Sequence, residues 1–480
     1  MDRRSFIEIG TVSAMSLFVQ ACVARDGVAQ GNRTPPKPAK ALGPVSNPRQ
    51  LEKRRAGLLD LPKGFEYVML QRHGERMSDG QFVPHQPDGM TCLQNADGHY
   101  VLLRNHELGD RGFVGRFKTW SKHDGPPVGP VYDKGYFGGV TRVVIDPGKL
   151  ARDFKSARDA KSTSILQSHY VLAGTDRNCA GGPYRDGWIT CEESSDPGHG
   201  YAFLTKAMDT GLVAPRRIDS WGRLHREGVV VDEQTGVAYM TEDRVDGCFY
   251  RHVPKKASEP LGAGRLQALA IVGVPTTDPY PEPEGGKAAP SRWKRGQTWA
   301  VTWVDVADPQ AEKQPCRDQA IAAGATQFMR GEGIAWDGRH VWFTASLGGP
   351  MKAGQIFQYI PDTKQADKGQ LVLAYEVTDR SVLSCPDNVV MTPWGDLLMA
   401  EDNYRAGDGA THQYIRGLTP QGEIFDLVRN RQNYPKRGRT GAEFAGICFS
   451  PDGQYLFFNL QAPISATIAV RGPWKQYVRS

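Results

Sequence analysis

The segment "EQTGVAYMTED", Glu233 to Asp243, holds a turn, a short strand and two adjacent acids. Gln234-Thr235-Gly236 supplies the turn. Val237 to Thr241 is a run of β-branched, aromatic and aliphatic residues that suits a strand, and the pattern is that of a β-hairpin. The same design recurs in "NADGHYVLL" (95–103), "YRDGWITCEE" (184–193), "WDGRHVWFTAS" (336–346), "PWGDLLMAED" (393–402) and "PDGQYLFFNLQ" (451–461). The turn glycines are Gly98, Gly187, Gly236, Gly338, Gly395 and Gly453, and the last four intervals are 49, 102, 57 and 58 residues. The interval of 102 reads as two units with one turn disguised. Hairpins repeating at about fifty residues predict an all-β chain folded as a β-propeller of about six blades with irregular insertions, each blade a four-stranded sheet around a central channel.

Composition agrees. The chain has 480 residues, 39% of them hydrophobic, with 54 glycines and 33 prolines, and no long amphipathic helical stretch. Its net charge of +6 comes from scattered basic residues, so nucleic acid is not an expected partner. At the N-terminus, Arg3 and Arg4 precede Phe6 and a weak apolar run to about Ala21, too short for an ordinary membrane span. Residues 1–24 read as a twin-arginine export signal, which predicts passage through the twin-arginine translocase to the periplasm. Cys22 follows "FVQA", a loose lipoprotein cleavage box, which leaves a lipid anchor through Cys22 open. Residues 25–58 are a Pro-rich, polar linker with no fold of its own, and residues 59–480 form a single propeller domain. Beyond Cys22 the cysteine count is odd, so at least one thiol lies outside any internal disulfide.

The turns are flanked by acids in register. Glu192–Glu193, Glu242–Asp243 and Glu401–Asp402 follow their glycines by five to seven residues, while Cys179, Glu227, Glu332 and Asp387 precede theirs by six to nine. Positions equally far from a hairpin turn meet at its open end, so these groups gather at one rim of the channel. Clustered carboxylates repel one another unless cations lie among them. Carboxylate oxygen suits calcium, whereas the thiol of Cys179 prefers iron, zinc or copper, so two kinds of metal are implied. Gly181 and Gly182 would let backbone approach a cluster or an anion closely. Arg330, two residues before Glu332 and hence on the same face of a strand, would stand beside a metal carboxylate, ready to bind phosphate in a bidentate manner.

"NCAGG" (178–182) with "TCEE" (190–193), "REGVVVDEQTGVAYMTED" (226–243), "RGEGIAW" (330–336), "PDNVVMTPWGDLLMAED" (386–402) and "EFAGICFSPDGQYLFFNLQ" (443–461) together resemble the PhoX-type alkaline phosphatases. "RNHELG" (104–109) and "GGVTRVVIDP" (138–147) also fit, so the likeness runs from about Leu61 to Trp474 with the motif order kept. The resemblance implies a phosphoric monoester hydrolase acting on a small phosphate ester, with two iron(III) ions and calcium at one end of a propeller channel and a metal-bound oxygen as nucleophile. It places the bridging thiolate on Cys179, further metal glutamates on Glu193, Glu227 and Glu332, calcium-side ligands on Glu107 and Asp387, and the phosphate contact on Arg330; the catalytic pair is Cys179 and Arg330. A monomer is expected.

One departure stands out: "PYRDGW" (183–188) is one residue shorter than the Thr-Pro-Trp-Gly-type segment of relatives, which alters the channel mouth. Two rival readings are a calcium-dependent propeller lactonase or esterase, in which Cys179 has no role, and a non-catalytic exported binding propeller. No GxSxG elbow supports a serine hydrolase, and no Walker or Rossmann glycine pattern follows a strand.

Overall fold

The computed structural model describes residues 52–53, 57–114, 127–155, 162–284, 287–403, 412–434, 439–440 and 443–477. The export signal, Cys22 and nearly all of the linker lie outside the described residues.

Strand pairing resolves into six four-stranded antiparallel units. Their innermost strands are Pro87–Gln94, Asn178–Tyr184, Arg226–Val231, Gly331–Trp336, Pro386–Met391 and Phe444–Phe449. Each packs against the next, and the sixth returns to the first, so the six close a ring. The units are called here the first to sixth blades in that order. In every blade the first turn is one of the six glycine turns; Gly98, Gly236, Gly338, Gly395 and Gly453 have φ between 67° and 95°, the left-handed region that glycine adopts without strain.

The ring is latched by residues 59–72, which precede the first blade. Glu66–Arg72 pairs with Ala466–Arg471 as the outer strand of the sixth blade, and Leu59–Leu61 extends the fifth blade alongside Ile424–Asn430. Leu59, Leu61 and Phe65 are fully buried in one apolar cluster with Phe458, Leu460 and Val470, so hydrophobic burial holds the closure as well as ladder hydrogen bonds.

The interval of 102 residues hides no further turn. It is one blade plus an insertion: strand Thr298–Asp305 joins the outer strands of the third and fourth blades into one nine-stranded sheet, and helix Cys316–Ala322 follows it. Periodicity counts residues and cannot separate a missing turn from an inserted strand.

The inner strands approach closely. A Cβ on Gly89 would lie 2.7 Å from the Ala180 Cα, and one on Gly333 would lie 2.2 Å from the Asp387 carbonyl oxygen. This explains the acid-glycine pairs Asp88–Gly89, Glu227–Gly228 and Glu332–Gly333: the acid faces the channel and the glycine lets the neighbouring strand in.

Candidate metal centre

A single backbone repeat builds the mouth of the channel. Just before each inner strand stands a lead residue: Gln86, Arg177, His225, Arg330, Cys385 or Glu443. Its carbonyl accepts a hydrogen bond from the N–H of a return residue one step beyond the second strand: Glu107, Glu193, Asp243, Ser346, Asp402 or Gln461, at 2.8–3.1 Å in all six blades. Two residues after the lead comes a channel residue: Asp88, Cys179, Glu227, Glu332, Asp387 or Ala445. In the first five blades strand pairing is interrupted at the channel residue and its successor. Such a bulge re-aims a side chain away from the ladder, here into the mouth.

The acids and the thiol therefore meet. Five overlapping trios have ligand atoms within 4.8 Å of one another: Asp88, Glu107 and Cys179; Cys179, Glu193 and Glu227; Glu193, His225 and Asp243; Glu227, Glu332 and Asp387; Asp387, Asp402 and Glu443. All six metal ligands expected from the sequence, Cys179, Glu193, Glu227, Glu332, Glu107 and Asp387, lie in this chain of trios. Asp88, His225, Asp243, Asp402 and Glu443 join them. Asp243 and Asp402 were visible as second members of acid pairs, and Asp88 as an acid before glycine. Nothing local marks Glu443, because the bulge of the sixth blade falls later, at Gly446–Ile447, and its lead residue supplies the acid.

The two acids of each pair do different work. Strand alternation sends the first inward: Glu192 accepts hydrogen bonds from the N–H groups of Asp176, Gly200 and Tyr201 and from His199. Glu242 accepts from Tyr250 Oη at 2.7 Å, and Glu401 from the Ser384 and Tyr414 N–H groups and Arg416. These buried carboxylates tie down the rim loops, and only the second members face the mouth.

Burial of so much like charge shifts the ring's proton affinity. Burial first, then Asp387, pushes Asp88 well above the usual carboxylate range. Burial and Glu193 do the same to Glu107, burial and Glu332 to Glu227, and burial to Glu332 against the opposing pull of Arg330. Asp387 is pushed up to about 7 by burial and Asp402. Burial and the surrounding acids, Asp88 foremost, push the Cys179 thiol up. Glu193 goes the other way, because His225, Arg177 and Arg330 outweigh its burial. Without cations the ring holds protons that cations would displace. Glu227 Oε2 is buried with no hydrogen-bond donor, an arrangement that is costly unless something positive meets it. Acidic oxygens with one central thiol therefore fit a mixed set of cations.

Arg330 does stand beside Glu332, at 2.8 Å, and forks onto Asp243 at 2.6 and 2.8 Å. Strand alternation does not bring them together, contrary to the expectation from their spacing. Arg330 precedes its strand with φ of 58°, and the bulge brings the two side chains together. The glycine pair is also corrected: a Cβ on Gly181 would meet the Ile189 carbonyl oxygen at 2.0 Å, and one on Gly182 the Val229 carbonyl oxygen at 1.8 Å. Both glycines admit neighbouring backbone, not a ligand. No disulfide joins the described cysteines.

The family profile of alkaline phosphatase PhoX matches residues 46–464. Among solved structures, Pseudomonas fluorescens PhoX, determined in complex with vanadate as a transition-state analogue, superposes with a TM-score of 0.60 at 16% identity, covering 87% of this chain and 96% of that one; this likeness shows the fold. A gluconolactonase from Xanthomonas campestris gives 0.38 at 10% identity, over 85% of this chain and 98% of that one. A luciferin-regenerating enzyme gives 0.37 at 9%, over 85% and 96%. No curated protein sequence matches. With a family match spanning most of its length and a propeller mouth lined by acids, the chain belongs to the alkaline phosphatase PhoX family, and it is a metal-dependent phosphomonoesterase.

Proposed function

We propose that the mouth holds a mixed iron–calcium centre, with Cys179 as the thiolate on the iron side and Arg330 as the phosphate-binding cation. Cys179 is the observation that carries this reading. It belongs to two trios at once, with Asp88 and Glu107 on one side and Glu193 and Glu227 on the other. A buried thiol shared by four carboxylates suits a softer, more highly charged ion than calcium. Glu332, Asp387, Asp402 and Glu443 offer oxygen alone, the donor set calcium prefers. When bound, the cations supply Lewis-acid charge neutralisation to the phosphoryl oxygens.

The chain's own groups do the positioning. Arg330 carries a planar fork of the kind that meets phosphate, and its Nε and Nη2 pair with Asp243 at 2.6 and 2.8 Å, the pairing an incoming phosphate would compete with. Asp243 holds that fork in place. Burial of Glu227 and Glu332 keeps water from screening the charges they set. Arg3 and Arg4 are proposed to direct export through the twin-arginine translocase, giving a periplasmic monomer. No helix among the described residues is long and apolar enough to cross a membrane.

The test is metal analysis of purified mature protein alongside hydrolysis of an aryl phosphate. Iron with calcium, visible colour and turnover are expected. Arg330→Ala should keep both metals and the colour while weakening inorganic-phosphate inhibition about ten- to a hundredfold, the value of charge-assisted hydrogen bonds. An active, iron-free, colourless protein would return Cys179 to the role of a structural cysteine.

A further inference from the structure

Arg177 is the counterpart of Arg330. Each is a lead residue, two positions before a channel residue that joins a candidate metal trio, Cys179 in one blade and Glu332 in the other. Each is a non-glycine residue in the left-handed region, with φ of 47° and 58°. The same two backbone hydrogen bonds hold each one there. Its N–H donates to the residue after the preceding blade's return acid, Leu108 or Arg244, at 2.9 Å, and its carbonyl accepts from its own blade's return residue, Glu193 or Ser346. Gln86 and Cys385 share this conformation, with φ of 49°, so it belongs to the rim repeat, and the guanidinium is what sets Arg177 and Arg330 apart.

Between them lies the third blade, whose lead residue is His225, with Nδ1 3.0 Å from Glu193 Oε1. The cationic or protonatable lead residues thus form one arc over the second, third and fourth blades. Gln86, Cys385 and Glu443 fill the other three lead positions and bring no positive charge. With cations bound the mouth draws in a phosphate dianion, and among the lead residues those of that arc add positive charge of their own. Arg177 is one quarter exposed, with Nε 3.5 Å from Asp176 Oδ1, and the mouth acids Glu193 and Glu107 act on its charge.

Building on the phosphatase reading above, we propose that Arg177 is a second anion-binding side chain, so that Arg177 and Arg330 straddle the phosphoryl group of the substrate from either side of the third blade. The rival role for Arg177 is structural, balancing Glu193 and Glu107. The two roles part on what a substitution moves.

The experiment takes metal-loaded wild type, Arg177→Gln and Arg177→Lys. It measures inorganic-phosphate binding by calorimetry, KM and kcat on an aryl phosphate, bound metal, and the thermal midpoint. Arg177→Gln should weaken phosphate binding and raise KM about ten- to a hundredfold, with metal content and midpoint held. Arg177→Lys should recover part of the loss, because it keeps the charge without the fork. Unchanged phosphate affinity in Arg177→Gln, beside an active wild type, overturns the second arginine and leaves the phosphatase reading standing. So does a loss of affinity that merely tracks lost metal. A wild type that neither binds phosphate nor turns over the ester sinks the underlying reading itself.

Discussion

The two halves of the mouth are made by one backbone repeat and carry opposite chemistry. Over the second to fourth blades the lead residues are Arg177, His225 and Arg330, and the channel residues include the thiol of Cys179. Over the fifth, sixth and first blades the lead residues are Cys385, Glu443 and Gln86, and the trio Asp387, Asp402 and Glu443 is oxygen alone. Backbone hydrogen bonds at the rim are alike in both halves, so the contrast rests on side-chain identity. The propeller supplies geometry six times over, and the sequence at three positions per blade decides what each sector can bind. On the proposed reading the sector around Cys179 takes the softer cation and the incoming anion, and Glu332, Asp387, Asp402 and Glu443 take the hard cations.

The largest expected effect comes from exchanging that identity. Cys179→Ser should remove the soft donor, the colour and most of the iron, and lower turnover by about a thousandfold, on the scale of losing a principal charge-stabilising group. Asp402→Asn, in the oxygen half, should keep iron and colour and weaken calcium binding about ten- to a hundredfold, with activity restored by added calcium. Metal content and colour of both variants check the division. Loss of both metals in both variants would make the mouth one undivided cluster.

Below the rim the halves differ in how their loops are tied. Glu401 forms a buried ion pair with Arg416 at 2.8 Å, and Arg416 also pairs with Asp426. Glu192 is held by three backbone N–H groups and His199. Glu401→Gln takes one of two carboxylates from buried Arg416, leaving Asp426, and should cost about 3–5 kcal/mol at most. A glutamine at position 192 keeps an acceptor for the N–H groups and should cost about 1–3 kcal/mol. Denaturant unfolding of Glu401→Gln and Glu192→Gln, at constant metal content, should rank them in that order. The reverse ranking would mean that the backbone cradle, not the ion pair, carries the rim.

Much of this was legible in the sequence because the repeat is short-range. A glycine turn, a strand and an acid at fixed spacing follow from hairpin geometry alone, so the propeller and the rim position of Cys179, Glu193, Glu227, Glu332 and Asp387 could be read from spacing. What could not be read depends on packing. Gly181 and Gly182 looked like a ligand cradle, but they face the backbone at Ile189 and Val229, contacts made between strands that no local pattern reveals. Glu242 and Glu401 looked like rim acids until strand alternation turned them inward. Glu443 was missed because it breaks the repeat, with the acid moved from the channel position to the lead position.

The smallest effect separates the ring's own electrostatics from everything beneath it, through pH. In chelated protein Asp387 is pushed up to about 7, against about 3.9 in an unfolded chain. The folded state then binds more protons over that window, so this group's stabilisation is full below the unfolded value and lost as pH rises through about 7. The loaded protein runs the other way, because bound cations need deprotonated carboxylates and acid releases them. Burial depresses His85 to about 3 and His252 to about 4. Both therefore cost stability as pH falls below about 6.5, where the unfolded chain takes up their protons and the fold does not. That cost is common to loaded and chelated protein and cancels in the difference. Unfolding free energies measured with and without chelator between pH 7.5 and 5.5 should therefore converge as pH falls, by about 1.4 kcal/mol per pH unit for each proton taken up. A gap that stays constant across that range would mean that the ring carboxylates carry no cation-dependent charge, and that the acidic half of the mouth contributes shape alone.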